Sequence, residues 1–175
     1  NRADCVSCKA GKFFLSEEEK GTSECTKCDA GSVSKVGAST CRNCQPGKYE
    51  SNRIDCVACD AGKYSANVGV IECTKCNAGS VSDAGATTCG NCQSGKYELN
   101  RIDCVSCNAG KYSANEGATE CTECDAGSVS SAGASMCGKC QPGTYSPNRG
   151  GGSCLICAAG KFSAGEGALS CDDCE

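Results

Sequence analysis

The sequence contains little of what an ordinary globular core is built from. Leu, Ile, Val and Phe together number 20 of 175 residues, roughly 11%, well below the ~20% expected of a chain that buries such a core. Tryptophan is absent and methionine occurs once. Such a chain is either disordered or held together by covalent cross-links that take the place of a core.

Other absences limit what the chain can do. Histidine is absent, so a Ser-His-Asp triad cannot form, and no phosphate-binding loop or carboxylate pair stands out. We therefore expect no catalytic residues, no cofactor and no enzymatic activity. The net charge is −4 with both signs mixed along the chain, and without a basic block we expect no nucleic-acid partner.

Membrane and glycosylation signals are also few. No apolar run approaches the ~18–20 residues of a transmembrane helix, so we expect no membrane span in this segment. No asparagine begins an Asn-x-Ser or Asn-x-Thr sequence, so N-glycosylation is not expected. Serine and threonine number 30, which leaves an O-linked glycan open as a partner.

Against these absences stands one abundant residue. Twenty-two cysteines form eleven Cys-x-x-Cys pairs, which begin 20, 16, 15, 17, 16, 15, 17, 16, 17 and 17 residues apart, from Cys5 to Cys171. This regularity indicates a tandem array of one small unit. An even number of cysteines at this density predicts disulfides and an oxidising compartment, so we place the protein outside the cell or on its surface.

Each unit runs from the second cysteine of one pair, the opening cysteine, to the first cysteine of the next, the closing cysteine. A glycine stands three residues after the opening cysteine, and an aromatic residue or valine stands two residues after that glycine. A glycine or asparagine stands four residues before the closing cysteine, and all five tyrosines occupy the middle position. The units, numbered 1 to 10, are 8–25, 28–41, 44–56, 59–73, 76–89, 92–104, 107–121, 124–137, 140–154 and 157–171.

These features predict a hairpin in each unit. Glycine and asparagine accept a positive φ at low cost, so the position before the closing cysteine, for example Gly85 or Asn100, predicts a left-handed turn residue. The early glycine predicts a tight turn, and Lys-Tyr-Ser or Ser-Val-Ser predicts a short strand with one buried side chain. We expect a small disulfide-rich fold of irregular β structure, an elongated tandem array of about ten one-disulfide hairpins with almost no helix. Residues 16–20, the only helix-like composition, predict a polar loop insertion.

A longer period lies above the unit. Asn-Arg-x-Asp-Cys-Val-x-Cys occurs at residues 1–8, 52–59 and 100–107, and the units recur in threes with a period of about 48 residues. Units of a folded array contact mainly their neighbours, so identical triplets place identical side chains at regular intervals along a rod. No shift in composition marks a linker, so we treat residues 1–175 as one continuous repeat array.

Three kinds of chemistry compete for the Cys-x-x-Cys pairs. Their spacing is similar to that of a structural zinc ribbon, but such sites consume pairs two at a time and eleven pairs leave one over. Thiol–disulfide catalysis needs one activated pair at a helix N-terminus, which eleven equivalent pairs without helices do not offer. We favour structural disulfides and expect no metal site.

Two further features allow more than one interpretation. The Arg-Ile-Asp sequences, Arg53/Asp55 and Arg101/Asp103, suit a calcium or ligand site, or solvated ion pairs between adjacent units, which we favour. The tyrosine series suits a carbohydrate-stacking face, or packing on the disulfides, which we favour.

The pattern Cys-x-x-Gly-x-Tyr-Ser…Gly-x-x-x-Cys-x-x-Cys resembles the ephrin-receptor-like cysteine-rich repeat and the one-disulfide module of tumour-necrosis-factor receptor ectodomains. The resemblance extends over the whole chain, and the motif recurs in surface proteins, including long arrays on protists. In that family the cysteine before x-x-Gly-x-Tyr bonds the first cysteine of the next pair. The resemblance therefore implies the disulfides Cys8–Cys25, Cys28–Cys41, Cys44–Cys56, Cys59–Cys73, Cys76–Cys89, Cys92–Cys104, Cys107–Cys121, Cys124–Cys137, Cys140–Cys154 and Cys157–Cys171.

Ten such bonds leave Cys5 and Cys174 without partners inside the chain. Cys5 has the closing role of a unit that begins upstream, and Cys174 stands where Cys76 and Cys124 open a valine unit. We expect both to bond residues outside this sequence, and the repeat to continue in both directions with the same period. Sequencing the native protein checks this expectation.

Two function classes remain. We favour an extracellular structural repeat protein that forms a stiff rod in a filament, coat or surface array, because polymers need sameness and the triplets are nearly identical. Its partners are copies of itself or neighbouring segments of a longer chain. The second class is the ectodomain of a receptor or adhesion protein that binds a protein ligand, for which only residues 16–20 and 149–152 offer a locally distinct surface.

Overall fold

The structure is a computed structural model that describes residues 7–14 and 24–174. Over these residues, regular structure consists of short β-strands that pair antiparallel as ten two-stranded hairpins, and no helix is present. Each unit has one hairpin, whose second strand contains the closing cysteine or directly follows it and is counted here with that unit. The expected small, disulfide-rich, irregular β array with almost no helix is therefore confirmed. Residues 16–20, for which a polar loop is predicted, lie outside the described residues.

The strands are two to four residues long. In chain order the hairpins are β1 (Lys12–Phe14) with β2 (Cys25–Lys27), β3 (Ser32–Val33) with β4 (Arg42–Asn43), β5 (Lys48–Ser51) with β6 (Asp55–Ala58), β7 (Lys63–Tyr64) with β8 (Thr74–Lys75), β9 (Ser80–Val81) with β10 (Gly90–Asn91), β11 (Lys96–Leu99) with β12 (Asp103–Ser106), β13 (Lys111–Tyr112) with β14 (Thr122–Glu123), β15 (Ser128–Val129) with β16 (Gly138–Lys139), β17 (Thr144–Tyr145) with β18 (Leu155–Ile156), and β19 (Lys161–Phe162) with β20 (Asp172–Asp173).

A tight turn precedes the first strand of every hairpin. In unit 7, for example, the Lys111 amide donates to the Asn108 carbonyl at 3.0 Å, and Gly110 between them has φ of 81°. The opening glycines of all ten units have φ between 79° and 83°. A positive φ at the third of four residues is what a type II turn requires, and Pro46 and Pro142 stand at the second position, which favours the same turn. The predicted tight turn is confirmed.

The second predicted turn is confirmed as well. The Gly or Asn before the closing cysteine has positive φ, between 54° and 75°, in units 2 to 10; Gly21 of unit 1 lies outside the described residues. In units 3 and 6 the following arginine also has positive φ, 59° at Arg53 and 61° at Arg101. The Ile54 amide donates to the Ser51 carbonyl, so two left-handed residues close this hairpin, as in a type I′ turn.

Ten disulfides close the units, and they join the same pairs that the resemblance implies. The Cα–Cα distances lie between 5.4 and 5.8 Å, within the usual range for a disulfide. The bonded cysteines are 12 to 17 residues apart. Closing a loop of that size removes roughly 3 kcal/mol of conformational entropy from the unfolded chain.

The buried side chains of the described residues are few and small. The buried apolar set is Val33 and nine opening cysteines, from Cys8 to Cys140, and the buried polar set is nine serines. The tyrosines are half-buried, and Phe162 in the last unit is exposed. Disulfide sulfurs and serine hydroxyls therefore fill the space that aliphatic side chains occupy in an ordinary core.

The chain divides into two compact bodies. The first comprises Asn1–Cys76 and Ser82–Cys89, and the second comprises Asn77–Val81 and Gly90–Glu175. Each body contains hairpins of the kind described above, closed by the same type of disulfide.

The disulfides should be indispensable to this fold, because so little apolar surface is available to stabilise it. We expect peptide mapping of the unreduced protein to recover the ten pairs. We also expect the reduced and alkylated chain to lose amide-exchange protection, since each closure contributes roughly 3 kcal/mol. A bond between Cys25 and Cys28, or a reduced chain that keeps its protection, would contradict this account.

Candidate functional site: the junction between successive units

The feature that recurs most regularly is the junction at which one unit packs on the next. It is built from three groups: the opening glycine of one unit, the serine after the Tyr, Val or Phe of the next unit, and the left-handed turn before the closing cysteine. The junctions of units 7, 8 and 9 show the arrangement through Gly110, Ser130 and Gly150.

The opening glycine links its unit to the following one by a backbone hydrogen bond. The Gly110 amide donates to the Ser130 carbonyl at 2.8 Å. Six other junctions have the same bond, at 2.8 to 3.0 Å: Gly11 to Ser34, Gly47 to Ser65, Gly62 to Ser82, Gly95 to Ser113, Gly127 to Ser146 and Gly143 to Ser163. In return, the turn glycine of the later unit donates to the opening cysteine of the earlier one, as Gly133 does to Cys107 at 2.7 Å.

The serine adds a side-chain bond in the reverse direction. The Ser130 hydroxyl donates to the Lys111 carbonyl of unit 7 at 3.0 Å, and Ser130 is 6% exposed. Five other serines do the same at 2.8 to 3.1 Å: Ser34 to Lys12, Ser65 to Lys48, Ser82 to Lys63, Ser113 to Lys96 and Ser163 to Thr144. In unit 9 the Ser146 hydroxyl donates to the Asn148 carbonyl instead. The six bonds between units satisfy buried polar groups at their junctions.

Sequence reasoning missed the role of these serines and assigned them only to a strand. The signal was present, because serine follows the Tyr, Val or Phe in seven of the ten units. A polar residue that recurs beside the one semi-buried position of a strand is a candidate for a buried hydrogen bond.

Units 3 and 6 replace the serine by glutamate. The Glu50 carboxylate accepts a hydrogen bond from the Arg53 amide of its own turn and from the Gly31 amide of unit 2 at 3.4 Å. Glu98 accepts from the Arg101 amide and from the Gly79 amide of unit 5 at 3.3 Å. The carboxylate therefore takes the place of the serine carbonyl as acceptor for the opening glycine and also holds the two-residue left-handed turn.

Contacts also reach the second unit along the chain. A Cβ atom added to Gly110 would lie 1.9 Å from the Gly150 carbonyl oxygen, two units later. The same approach, at 1.8 to 2.2 Å, occurs for Gly31 on Gly69, Gly47 on Gly85, Gly79 on Gly117, Gly95 on Gly133 and Gly127 on Gly167. The sequence predicted contacts mainly between neighbouring units. The structure adds contacts between a unit and the second unit after it, because a glycine without a side chain lets two turns touch through their backbones.

The Arg-Ile-Asp sequence of unit 3 acts through its backbone. The Ser34 amide donates to the Arg53 carbonyl, and the Arg53 amide donates to Glu50. The ion pairs found in the described part of the chain are Lys63–Asp60, Lys111–Glu123, Arg149–Asp125 and Lys161–Asp173, so neither Arg53 nor Asp55 takes part in one. These pairs are solvent-exposed, and such pairs contribute about 0–1 kcal/mol.

The remaining predicted positions are placed as follows. Cys174 is exposed and has no disulfide partner within the described residues, while its amide donates to the Gly160 carbonyl. Cys5 lies outside the described residues, so bonding of both cysteines beyond this sequence stays a prediction.

Residues 7–14 and 24–174 contain no group of three or more potential metal ligands. Within the same residues, no helix is long and apolar enough to cross a membrane.

Replacing an opening glycine should weaken the array most where that glycine touches another turn. Gly110→Ala places a methyl group against the Gly150 carbonyl, which should add about 1–3 kcal/mol of overpacking strain to the ~1–2 kcal/mol of a left-handed alanine. Gly143→Ala is the matched control, because Gly143 has nearly the same φ, 82° against 81°, and nothing lies within 4 Å of the added methyl. Urea unfolding of the oxidised variants measures the difference; equal losses would contradict the second-neighbour contact.

Removing a junction serine should also have a local cost. Ser130→Ala deletes a buried hydroxyl that bonds the Lys111 carbonyl, so we expect a loss of about 1 kcal/mol in the free energy of opening at that junction. The adjacent Ser131 is exposed, and Ser131→Ala should change stability by less than about 0.5 kcal/mol. Amide exchange at Gly110 and Ser130 reports the junction directly. No difference between the two variants would show that the hydroxyl contributes nothing.

Comparison with known proteins agrees with this architecture. Residues 127–174 match the family model described as tyrosine-protein kinase ephrin type A/B receptor-like. No curated protein matches the chain. The match begins at the opening glycine of unit 8 and ends at Cys174, and it spans one three-unit period. Folds of this disulfide-rich type are typical of non-enzymatic extracellular domains. The chain is a disulfide-bonded tandem repeat whose cysteine-rich units resemble those of ephrin-receptor-like domains, and its disulfides are typical of a secreted or cell-surface location.

Proposed function

We propose that this protein is a structural repeat protein of an extracellular filament, coat or surface array, in which the units form a stiff rod. The observation that supports it is the recurrence of one junction: an opening glycine on the turn of the second following unit, in each of the two compact bodies. Similar units joined by the same contacts are suited to a protein whose role is to form an elongated assembly and to resist mechanical load. Its partners are then copies of itself or neighbouring segments of a longer chain.

The disulfides and the hydrogen bonds of the units also support this proposal, because both make the protein resistant to reduction and proteolysis. Every described unit is closed by a disulfide, and the opening cysteines of units 1 to 9 are buried. A thiolate must reach a disulfide sulfur to exchange with it, so burial of the opening cysteines leaves attack only at the half-buried closing cysteines and slows reduction and reshuffling. The backbone amides at the junctions are hydrogen-bonded between units, which slows the local opening that a protease needs. The proposal includes no catalytic role and no cofactor.

A receptor or adhesion ectodomain is the second candidate, and one observation favours it. Leu155 and Ile156 of unit 9 are 48% and 82% exposed, whereas the corresponding residues of unit 6 are Val105 and Ser106. A locally distinct apolar surface of this kind is what recognition of a protein ligand uses. The variants Leu155→Ser and Ile156→Ser remove it without touching a junction contact described above.

Negative-stain microscopy of the oxidised protein, together with immunolabelling of intact cells, tests the proposal. We expect filaments or ordered arrays that carry the label on the cell surface, and we expect Leu155→Ser/Ile156→Ser to assemble normally. The reduced and alkylated protein is the control and should not assemble. Discrete particles that bind a protein ligand, with binding lost in the Leu155/Ile156 variant, would favour the receptor class and overturn the structural assignment.

A further inference from the structure

A shallow polar cavity recurs at two positions that lie one three-unit period apart. The first, the 3/4 cavity, has a volume of about 280 Å³ and is lined by Tyr49, Asp60, Lys63, Glu72, Cys73 and Lys75. The second, the 6/7 cavity, has about 250 Å³ and is lined by Tyr97, Asn108, Lys111, Glu120 and Cys121. Every residue that lines the 6/7 cavity stands 48 positions after one that lines the 3/4 cavity. The first cavity lies within the first compact body and the second within the second body.

Two successive units build each cavity. The tyrosine comes from the longer hairpin of unit 3 or unit 6, on β5 or β11, and is half-buried. The other side chains come from the opening turn and the hairpin of the following unit, where Glu72 and Glu120 each precede a closing cysteine and are exposed. The tyrosine ring is therefore partly open to solvent beside groups that can donate and accept hydrogen bonds.

This set of side chains matches the chemistry of a sugar ring. A saccharide has an apolar face of C–H bonds that can lie on an aromatic ring, and hydroxyls that both donate and accept hydrogen bonds. Lys63 is ion-paired with Asp60 at 3.0 Å and Lys111 with Glu123 at 3.3 Å, so neither of these two lysines is free to hold a phosphate. The volumes lie just below the roughly 300–1,000 Å³ of drug-sized clefts, as a site for one or two rings requires.

We propose that the 3/4 and 6/7 cavities bind pyranose rings of an extracellular polysaccharide or glycan. Tyr49 and Tyr97 stack on the ring, while Glu72 and Glu120 accept hydrogen bonds from its hydroxyls. This inference does not depend on whether the protein polymerises. It revises the favoured sequence interpretation of the tyrosines for these two positions, where the ring serves a ligand as well as packing.

The two cavities should differ in their preference for charge. In unit 4, Lys63 faces Lys75 across the hairpin, and Lys75 has no ion pair among the described residues. In unit 7 the corresponding pair is Lys111 and Glu123. Like charges opposite each other on neighbouring strands repel, and a bound carboxylate would relieve that repulsion. The 3/4 cavity is therefore suited to a uronic acid, and the 6/7 cavity to a neutral sugar.

The chain contains its own negative control. In units 9 and 10 the equivalent tyrosine and lysine, Tyr145 and Lys161, are retained. However, Ala158 and Ser170 stand where the other two copies have Asp60 or Asn108 and Glu72 or Glu120. Ser170 keeps a hydroxyl, but the stronger carboxylate acceptor is absent, so this third position should not bind a sugar measurably.

Isothermal titration calorimetry of the 175-residue protein measures binding in every variant, because the heat of binding does not depend on the tyrosines that are replaced. The probes are cellohexaose and mannohexaose as neutral oligosaccharides and hexagalacturonate as an acidic one. We expect saturable binding that falls about tenfold or more in the Tyr49→Ala/Tyr97→Ala double variant, a change of about 1.4 kcal/mol, and does not change in Tyr145→Ala. Lys75→Glu should selectively weaken hexagalacturonate binding. Tyr49→Phe/Tyr97→Phe, which keeps the ring, should retain binding.

Two controls distinguish loss of the binding site from misfolding of a variant, and a free polysaccharide ligand from a protein-linked glycan. Each variant is compared by unreduced mass and by amide exchange at Ser65 and Ser113, so a misfolded variant is recognised and replaced by Glu72→Ala/Glu120→Ala. Binding of the free oligosaccharides supports a matrix polysaccharide as ligand, and binding only of a glycopeptide, with the same tyrosine dependence, supports a protein-linked glycan. The proposal is overturned if no saccharide probe binds, or if Tyr145→Ala weakens binding as much as Tyr97→Ala does.

Discussion

The contact between backbone turns at the unit junctions is the constraint on which the structure depends. A chain with so few aliphatic residues cannot be held by side-chain burial, so the units must touch through glycines and be closed by disulfides. Gly110 can approach the Gly150 carbonyl only because Gly110 has no side chain. The disulfide limits the unfolded state, and the junction supplies the hydrogen bonds and contacts that order the folded one.

The same constraint explains how the units can vary without loss of the array. The aromatic residue or valine, the serine or glutamate, and the length of the hairpin all change within a triplet. The opening glycine and its left-handed φ do not change in the ten units. Glu50 and Glu98 are examples, because each stands where other units have serine. Each carboxylate accepts the hydrogen bond from the opening-glycine amide that the serine carbonyl accepts at other junctions. Side chains can therefore vary on the unit surfaces that take no part in a junction, including the two tyrosine-lined cavities.

Much of this fold could be predicted from the sequence, because its determinants are local. The positive φ at Gly85 and Asn100 followed from the residues alone, since few residues accept that conformation. The hydrogen bond from Ser130 to Lys111 and the contact of Gly110 with Gly150 could not be predicted. Both depend on how one unit rests on the next two, which spacing along the chain does not specify. The positive φ of Arg53 was missed as well, because a two-residue left-handed turn forms there, in which the Arg53 amide donates to the Glu50 carboxylate of the preceding strand.

The most direct test of the central claim compares unit 7 alone with unit 7 in the array. A peptide of residues 107–123 with the Cys107–Cys121 bond retains the closure, the turn glycine and both strands of the hairpin, but it lacks the units on which it packs. Amide exchange at Gly110 and Ser113, whose hydrogen bonds reach into unit 8, is measured in the peptide and in the 175-residue protein. The account predicts strong protection in the array and almost none in the peptide. Equal protection in both would show that the disulfide-closed unit is stable by itself and that the junctions are not what orders the fold.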